Sequence, residues 1–127
     1  MNQSAGHDDS LQQLTDKLWE FAGQIRELES SADKALEEGY DLKKHEELLK
    51  RKASLLASLP DQVEFLVEAL PEQVGEKAEQ QLHTFARNAS NALNVGSVFY
   101  MRQLLYPDDH QKGQDNDLEK FIRSLSD

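Results

Sequence analysis

Acid–base or metal chemistry in this chain would have to come from His7, His45, His83 and His110, because the chain has no cysteine to serve as thiolate or soft metal ligand. None of the four lies at a spacing that brings two imidazoles to one helical face. Glu79 and His83 are four apart and do share a face. A carboxylate-bridged two-metal bundle, however, needs Glu-x-x-His twice with further glutamates from other helices, and that set is absent. No glycine-rich phosphate loop, Ser/His/Asp set or zinc pattern is present. The chain therefore reads as a non-enzyme, with no catalytic residue, no metal and no cofactor. A second polar group stands out, since Asn88, Asn91 and Asn94 recur every three residues although asparagine is a poor interior helix residue. Two roles fit them: interhelical hydrogen bonds that fix register, or recognition of a partner's backbone.

The elements that must position these residues are helical. Of 127 residues, 38% are hydrophobic and 30% charged, with Leu, Glu, Lys, Gln and Ala prominent and no alternating β-branched run. This composition predicts an all-α fold, an elongated antiparallel helical bundle or coiled coil of three to four helices with a short C-terminal amphipathic helix. The formal charge of −10 repels phosphate backbones and anionic headgroups, so the expected partner is a protein, with no nucleic acid and no membrane insertion. The absence of cysteine, of an export signal and of an apolar span fits a cytoplasmic location.

In chain order, residues 1–9 are polar and expected to be frayed and disordered, residues 10–106 to form the bundle, and residues 107–127 to be a linker and short helix. Asp9 or Ser10 can cap a first helix whose Leu11, Leu14, Leu18, Phe21, Ile25, Leu28, Ala32 and Ala35 form a three–four seam. Gly39 is read as its left-handed cap and Asp41 as the cap of a second helix over 42–59. On that helix Lys52 is expected to snorkel and His45 to meet a carboxylate. Pro60 is read as its end, with 60–70 a short apolar helix that continues it across a kink. Residues 71–106 read as one long helix of roughly 54 Å around which the rest is organised. Its stripe runs Val74, Ala78, Leu82, Phe85, Ala89, Ala92, Gly96 and Phe99, and beyond Asn94 a second apolar face appears at Val98, Met101 and Leu105. Leu118, Phe121, Ile122 and Leu125 repeat at i, i+3, i+4, i+7 on a helix over 117–125, too short to stand alone. Its nearest groove is that second face.

Two local patterns resemble known families. His83-Thr84-Phe85-Ala86-Arg87 resembles the phosphoacceptor turn of histidine phosphotransfer domains, with Ala86 in place of the usual Lys and Arg87 in place of the Gly. That resemblance implies His83 as an alternative phosphoacceptor. The stretch from Glu27 to Pro60 is similar to flagellar type III export chaperones of the FlgN and FliT type. There a helix ends in Ala-Leu-x-x-Gly-Asp and the next carries Lys-x-x-Leu-Leu-x-x-Leu. Ala35, Leu36, Gly39 and Asp41, with Tyr40 inserted, match the first pattern, and Lys52, Leu55, Leu56 and Leu59 match the second. Asn88, Asn91 and Asn94 echo the asparagines of that family's long last helix.

The second resemblance implies a cytoplasmic chaperone that sequesters a helical segment of a flagellar or secreted export substrate. Such a client would be held by helix-in-groove contacts. The residues expected to make them are Val95, Val98, Met101 and Leu105, with Leu118, Phe121, Ile122 and Leu125 either filling that groove or contacting the client. A homodimeric or homo-oligomeric coiled-coil adaptor is the remaining alternative.

Overall fold

The computed structural model describes residues 2–126, with side chains from Asp9 onward. Among these residues there is no strand, and five helices follow one another: α1 (Asn2–Gly39), α2 (Leu42–Glu68), α3 (Glu72–Val95), α4 (Val98–Gln103) and α5 (Asp117–Leu125). The fold is the all-α bundle that the composition predicts. Helix α1 begins at Asn2 and not at Asp9 or Ser10; Met1, part of the segment expected to fray, lies outside the described residues.

The three long helices run antiparallel in sequence, joined by short turns, and α2 lies between the other two. The hub is therefore α2, not the 71–106 segment. Its position follows from its sequence, because α2 buries residues on two sides: His45, Leu48, Leu49, Lys52, Ala53, Leu56, Leu59, Val63, Leu66 and Val67. Leu14, Leu18, Phe21, Ile25, Ala32 and Ala35 of the α1 seam are buried against it as the three–four spacing requires. On α3 the predicted stripe holds through Ala78, Leu82, Phe85, Ala89 and Ala92, all buried. Gly75 is buried too, and a Cβ there would come within 3.2 Å of the Val67 carbonyl oxygen. A side chain at this position would crowd the last turns of α2.

Pro60 sits inside α2 and does not end it. A mid-helix proline costs about 3 kcal/mol in lost hydrogen bonding and steric clash. Continuing the helix buries Val63, Leu66 and Val67, each worth about 1.5–3 kcal/mol, so burial wins. Phe65, in the same apolar stretch, remains 69% exposed.

The 71–106 segment is two helices with a corner. Gly96 adopts φ +71, and its N–H donates to the Ala92 and Leu93 carbonyls, closing α3. Ser97 then caps α4, its hydroxyl accepting from the Tyr100 N–H at 3.1 Å. Gly96 closes no helix contact, since a Cβ there would meet nothing within 4 Å. Its role is the left-handed stop, which a residue with a Cβ adopts only at a cost. The same conformation recurs at two residues that are not glycine, Tyr40 (φ 50) and Leu105 (φ 77). Gly39 is thus the last residue of α1, and Tyr40 takes the left-handed position expected of it.

Candidate protein interface

The 98–125 region is tied to the bundle by a polar joint centred on Lys52. Lys52 does not snorkel: it is fully buried. Its Nζ lies 2.9 Å from Glu29 Oε2, a close ion pair. The ammonium also donates to the Arg102 carbonyl at 3.0 Å and stands 5.1 Å from the centre of the Tyr106 ring. Tyr106 in turn donates its hydroxyl to Glu29 Oε1 at 2.6 Å. Burial lowers the Lys52 pKa below its ordinary 10.5, with Glu29 opposing that shift. Burial also raises the Tyr106 pKa, and here Glu29 adds to the effect by accepting the phenol's proton. Nearer the surface, Arg102 pairs with Asp33 of α1.

Arg26 extends the joint to α5. It holds Glu119 through two contacts, Nε to Oε2 at 3.1 Å and a terminal nitrogen to Oε1 at 2.6 Å, and donates to the Gln114 carbonyl at 3.3 Å. Glu119 also accepts from the Asn116 N–H at 2.9 Å, while Asn116 Oδ1 accepts from the Glu119 N–H, a reciprocal capping box that starts α5. Desolvation works against the Glu119 carboxylate, but the Arg26 and Asn116 hydrogen bonds prevail and hold its pKa below 4.5. Asn116 is fully buried, and its side chain opposes the rise in the Tyr106 pKa.

Helix α5 docks mainly on α1 and not on the face of Val98, Met101 and Leu105. Leu118 and Ile122 are fully buried, and Phe121 meets Phe85 of α3 edge to face at 5.9 Å between ring centres. Arg123 lies 5.0 Å over the Trp19 ring and pairs with Asp115 at 2.6 Å. The link to the second apolar face is at its start, where the Asp117 N–H donates to the Leu105 carbonyl at 2.9 Å. The physical reason is the corner at Gly96, which turns Met101 and Leu105 into the core. Of the residues expected to contact a partner, Met101, Leu105, Leu118 and Ile122 are therefore interior. Val98, Phe121 and Leu125 are half-buried, and Val95 is 68% exposed.

The asparagines are placed differently from the register-fixing role. Asn88, Asn91 and Asn94 are all exposed, and none of them hydrogen-bonds another helix among the described residues. Asn88 borders a cleft of about 370 Å³ between α3 and the 100–107 segment, together with Gln81, Thr84, Tyr100 and Gln103. His45 meets no carboxylate; its Nδ1 is 2.7 Å from the Ala32 carbonyl and is the donor there. His83 is exposed, 3.8 Å from Glu79, as a phosphoacceptor must be. It shares a groove with Asp61, Glu64, Glu68 and Glu79, whose charges oppose the approach of a phosphoryl group. Among the described residues no group of three or more His, Asp or Glu side chains is placed to hold a metal ion, and no helix is long and apolar enough to cross a membrane.

Sequence reading missed the polar joint and the exposure of several apolar residues. The joint had one signal, a lysine inside a leucine arc, but its partners lie 23 residues before and 50 residues after it, from Glu29 to Arg102. Tyr40 is 86%, Leu42 72%, Val95 68%, Phe99 64% and Tyr100 55% exposed. The Gly96-Ser97 pair, a left-handed stop followed by a helix cap, was the available signal for the corner that displays Phe99. Comparisons of the chain with protein-family models, with curated proteins and with solved structures give no match.

Proposed function

We propose that this chain is a non-enzymatic, helical protein-binding module whose client is an amphipathic helix, in the manner of an export chaperone for a flagellar or secreted substrate. One observation carries the reading: the bundle already seats an amphipathic helix, α5, in a groove floored by α1 and Phe85. That helix is nine residues long and is anchored by two fully buried side chains, Leu118 and Ile122. It is joined to the bundle by a polar stretch over 107–116 and held at the surface by Arg26 and Glu119. A client helix with apolar residues at i, i+4 and i+7 and a carboxylate for Arg26 would satisfy the same groove.

The experiment compares the full chain with one ending at Pro107. A fluorescent peptide of residues 115–126 serves as a client mimic and is titrated into each. Binding to the shortened chain, with weak or no binding to the full chain, supports a helix-accepting groove. A shortened chain that keeps its helical content but does not bind the peptide refutes it.

A further inference from the structure

Arg26, Glu29 and Asp33 stand at i, i+3 and i+7 on α1, so they form one row along one face of that helix. Each of the three holds a different piece of the C-terminal segment. Asp33 pairs with Arg102 of α4, Glu29 accepts from the Tyr106 hydroxyl just beyond α4, and Arg26 holds Glu119 of α5. Arg26 also donates to the Tyr106 hydroxyl at 3.2 Å and to the Gln114 carbonyl at 3.3 Å. One guanidinium therefore touches the chain after α4, the connection and α5. From the other side, Lys52 of α2 donates to the Arg102 carbonyl.

The segment is also fastened to itself. Across the whole connection, the Asp117 N–H at the start of α5 donates to the Leu105 carbonyl at 2.9 Å. Leu105 presents that carbonyl at φ 77, a left-handed backbone that costs a residue with a Cβ free energy. Such a conformation persists only while its surroundings enforce it. The connection between them is not slack, because the His110 N–H donates to the Pro107 carbonyl and the Gln114 N–H to the Gln111 carbonyl. The His110 ring also meets the Tyr106 ring edge to face, 4.8 Å between centres. Departure of α5 takes away the donor that holds Leu105 in its strained form. Leu105 packs in the core beside the end of α4, so its relaxation disturbs α4 as well.

We propose that residues 98–126 form one strap, closed along the row of Arg26, Glu29 and Asp33, that opens and closes as a single unit. Letting go of α5 loosens α4 and uncovers Met101 and Leu105 together with Leu118 and Ile122, all of them buried when the strap is closed. The strap is a cooperative unit of lower stability than α1, α2 and α3, which hold most of the core. A helix that takes the place of α5 would meet this wider apolar surface and not the α5 groove alone. That consequence rests on the helix-binding reading above, whereas the strap itself does not.

The test is native-state hydrogen exchange of the full chain, read by mass spectrometry on peptides covering 98–106 and 117–126. In the wild type both should exchange with one common opening free energy, lower than that of α2. Glu119→Gln weakens the hold of Arg26 but keeps the capping box, since glutamine also serves at that position. It should speed exchange severalfold in 98–106 as well as in 117–126. Arg102→Gln removes the pair with Asp33 at the other end of the row and leaves the backbone carbonyl for Lys52. It should speed both peptides likewise. Peptides from α2 should keep their wild-type rates in both variants, which separates an opening strap from a general loss of fold. Unequal opening free energies in the wild type overturn the proposal, as does acceleration confined to the helix that carries the substitution. Acceleration that extends equally to α2, or none with either variant, overturns it too.

Discussion

The buried pair of Lys52 and Glu29 makes an asymmetric prediction. Glu29→Gln keeps the shape of the side chain and its hydrogen bond from Tyr106, but it leaves the Lys52 ammonium fully buried without its anion. Removing one member of a buried pair costs about 3–5 kcal/mol. Glu29 retains 16% exposure and Lys52 keeps the Arg102 carbonyl, so the expected loss here is about 2–3 kcal/mol. Lys52→Met removes the charge itself and refills the space with an apolar chain of similar length. Glu29 then still accepts from Tyr106 and reaches solvent, so this change should cost about 1 kcal/mol or less. The double variant should lie within about 1 kcal/mol of the wild type, a coupling of about 2 kcal/mol.

Urea denaturation followed by far-ultraviolet circular dichroism reads the difference. With m near ~2 kcal/mol/M, Glu29→Gln shifts the midpoint by about 1 M or slightly more. A pH series adds a second reading. The folded-state pKa of Lys52 is below 10.5, so its penalty is in force at neutral pH and is relieved as pH rises through that folded value toward 10.5. Losing Glu29 starts the relief at lower pH, so the gap between Glu29→Gln and wild type should narrow on the alkaline side. Lys52→Met should show no such relief. Equal costs for the two single variants, adding up in the double, would refute a coupled buried pair.

Three further outcomes are expected. Because the Glu119 pKa is depressed, its stabilisation of α5 is present above 4.5 and lost as pH falls through the lower folded value. Trp19, the single tryptophan, lies beneath Arg123, so its fluorescence should report an acid-induced release of α5 that Arg26→Gln moves toward neutral pH. Gly96→Ala meets open space but must hold φ +71, so it should cost about 1 kcal/mol in chemical denaturation, from backbone strain alone. Pro60→Ala should restore a hydrogen bond within α2 and raise stability by about 1 kcal/mol or more; a lower melting temperature would show that the proline shapes the helix it interrupts.

What could be read in advance follows the range of the forces involved. Helix propensity and apolar periodicity act over a few residues, so the sequence alone determined the all-α class, the buried seam of α1 and the bounds of α5. A buried residue stays buried whichever helix covers it. Local rules were also enough, though not read so, for the corner at Gly96 and Ser97. Tertiary structure alone decided the competitions between local and distant terms: α2 continues through Pro60 because the apolar residues beyond it find cover, and Tyr40 accepts a left-handed backbone beside a glycine. It also decided that α2 and not α3 is the hub, and that α5 lies on α1. Lys52 shows the reason most plainly. Nothing near it in sequence tells whether a lysine in a leucine arc will snorkel or be buried; that depends on Glu29, Arg102 and Tyr106, which only the folded chain brings to it.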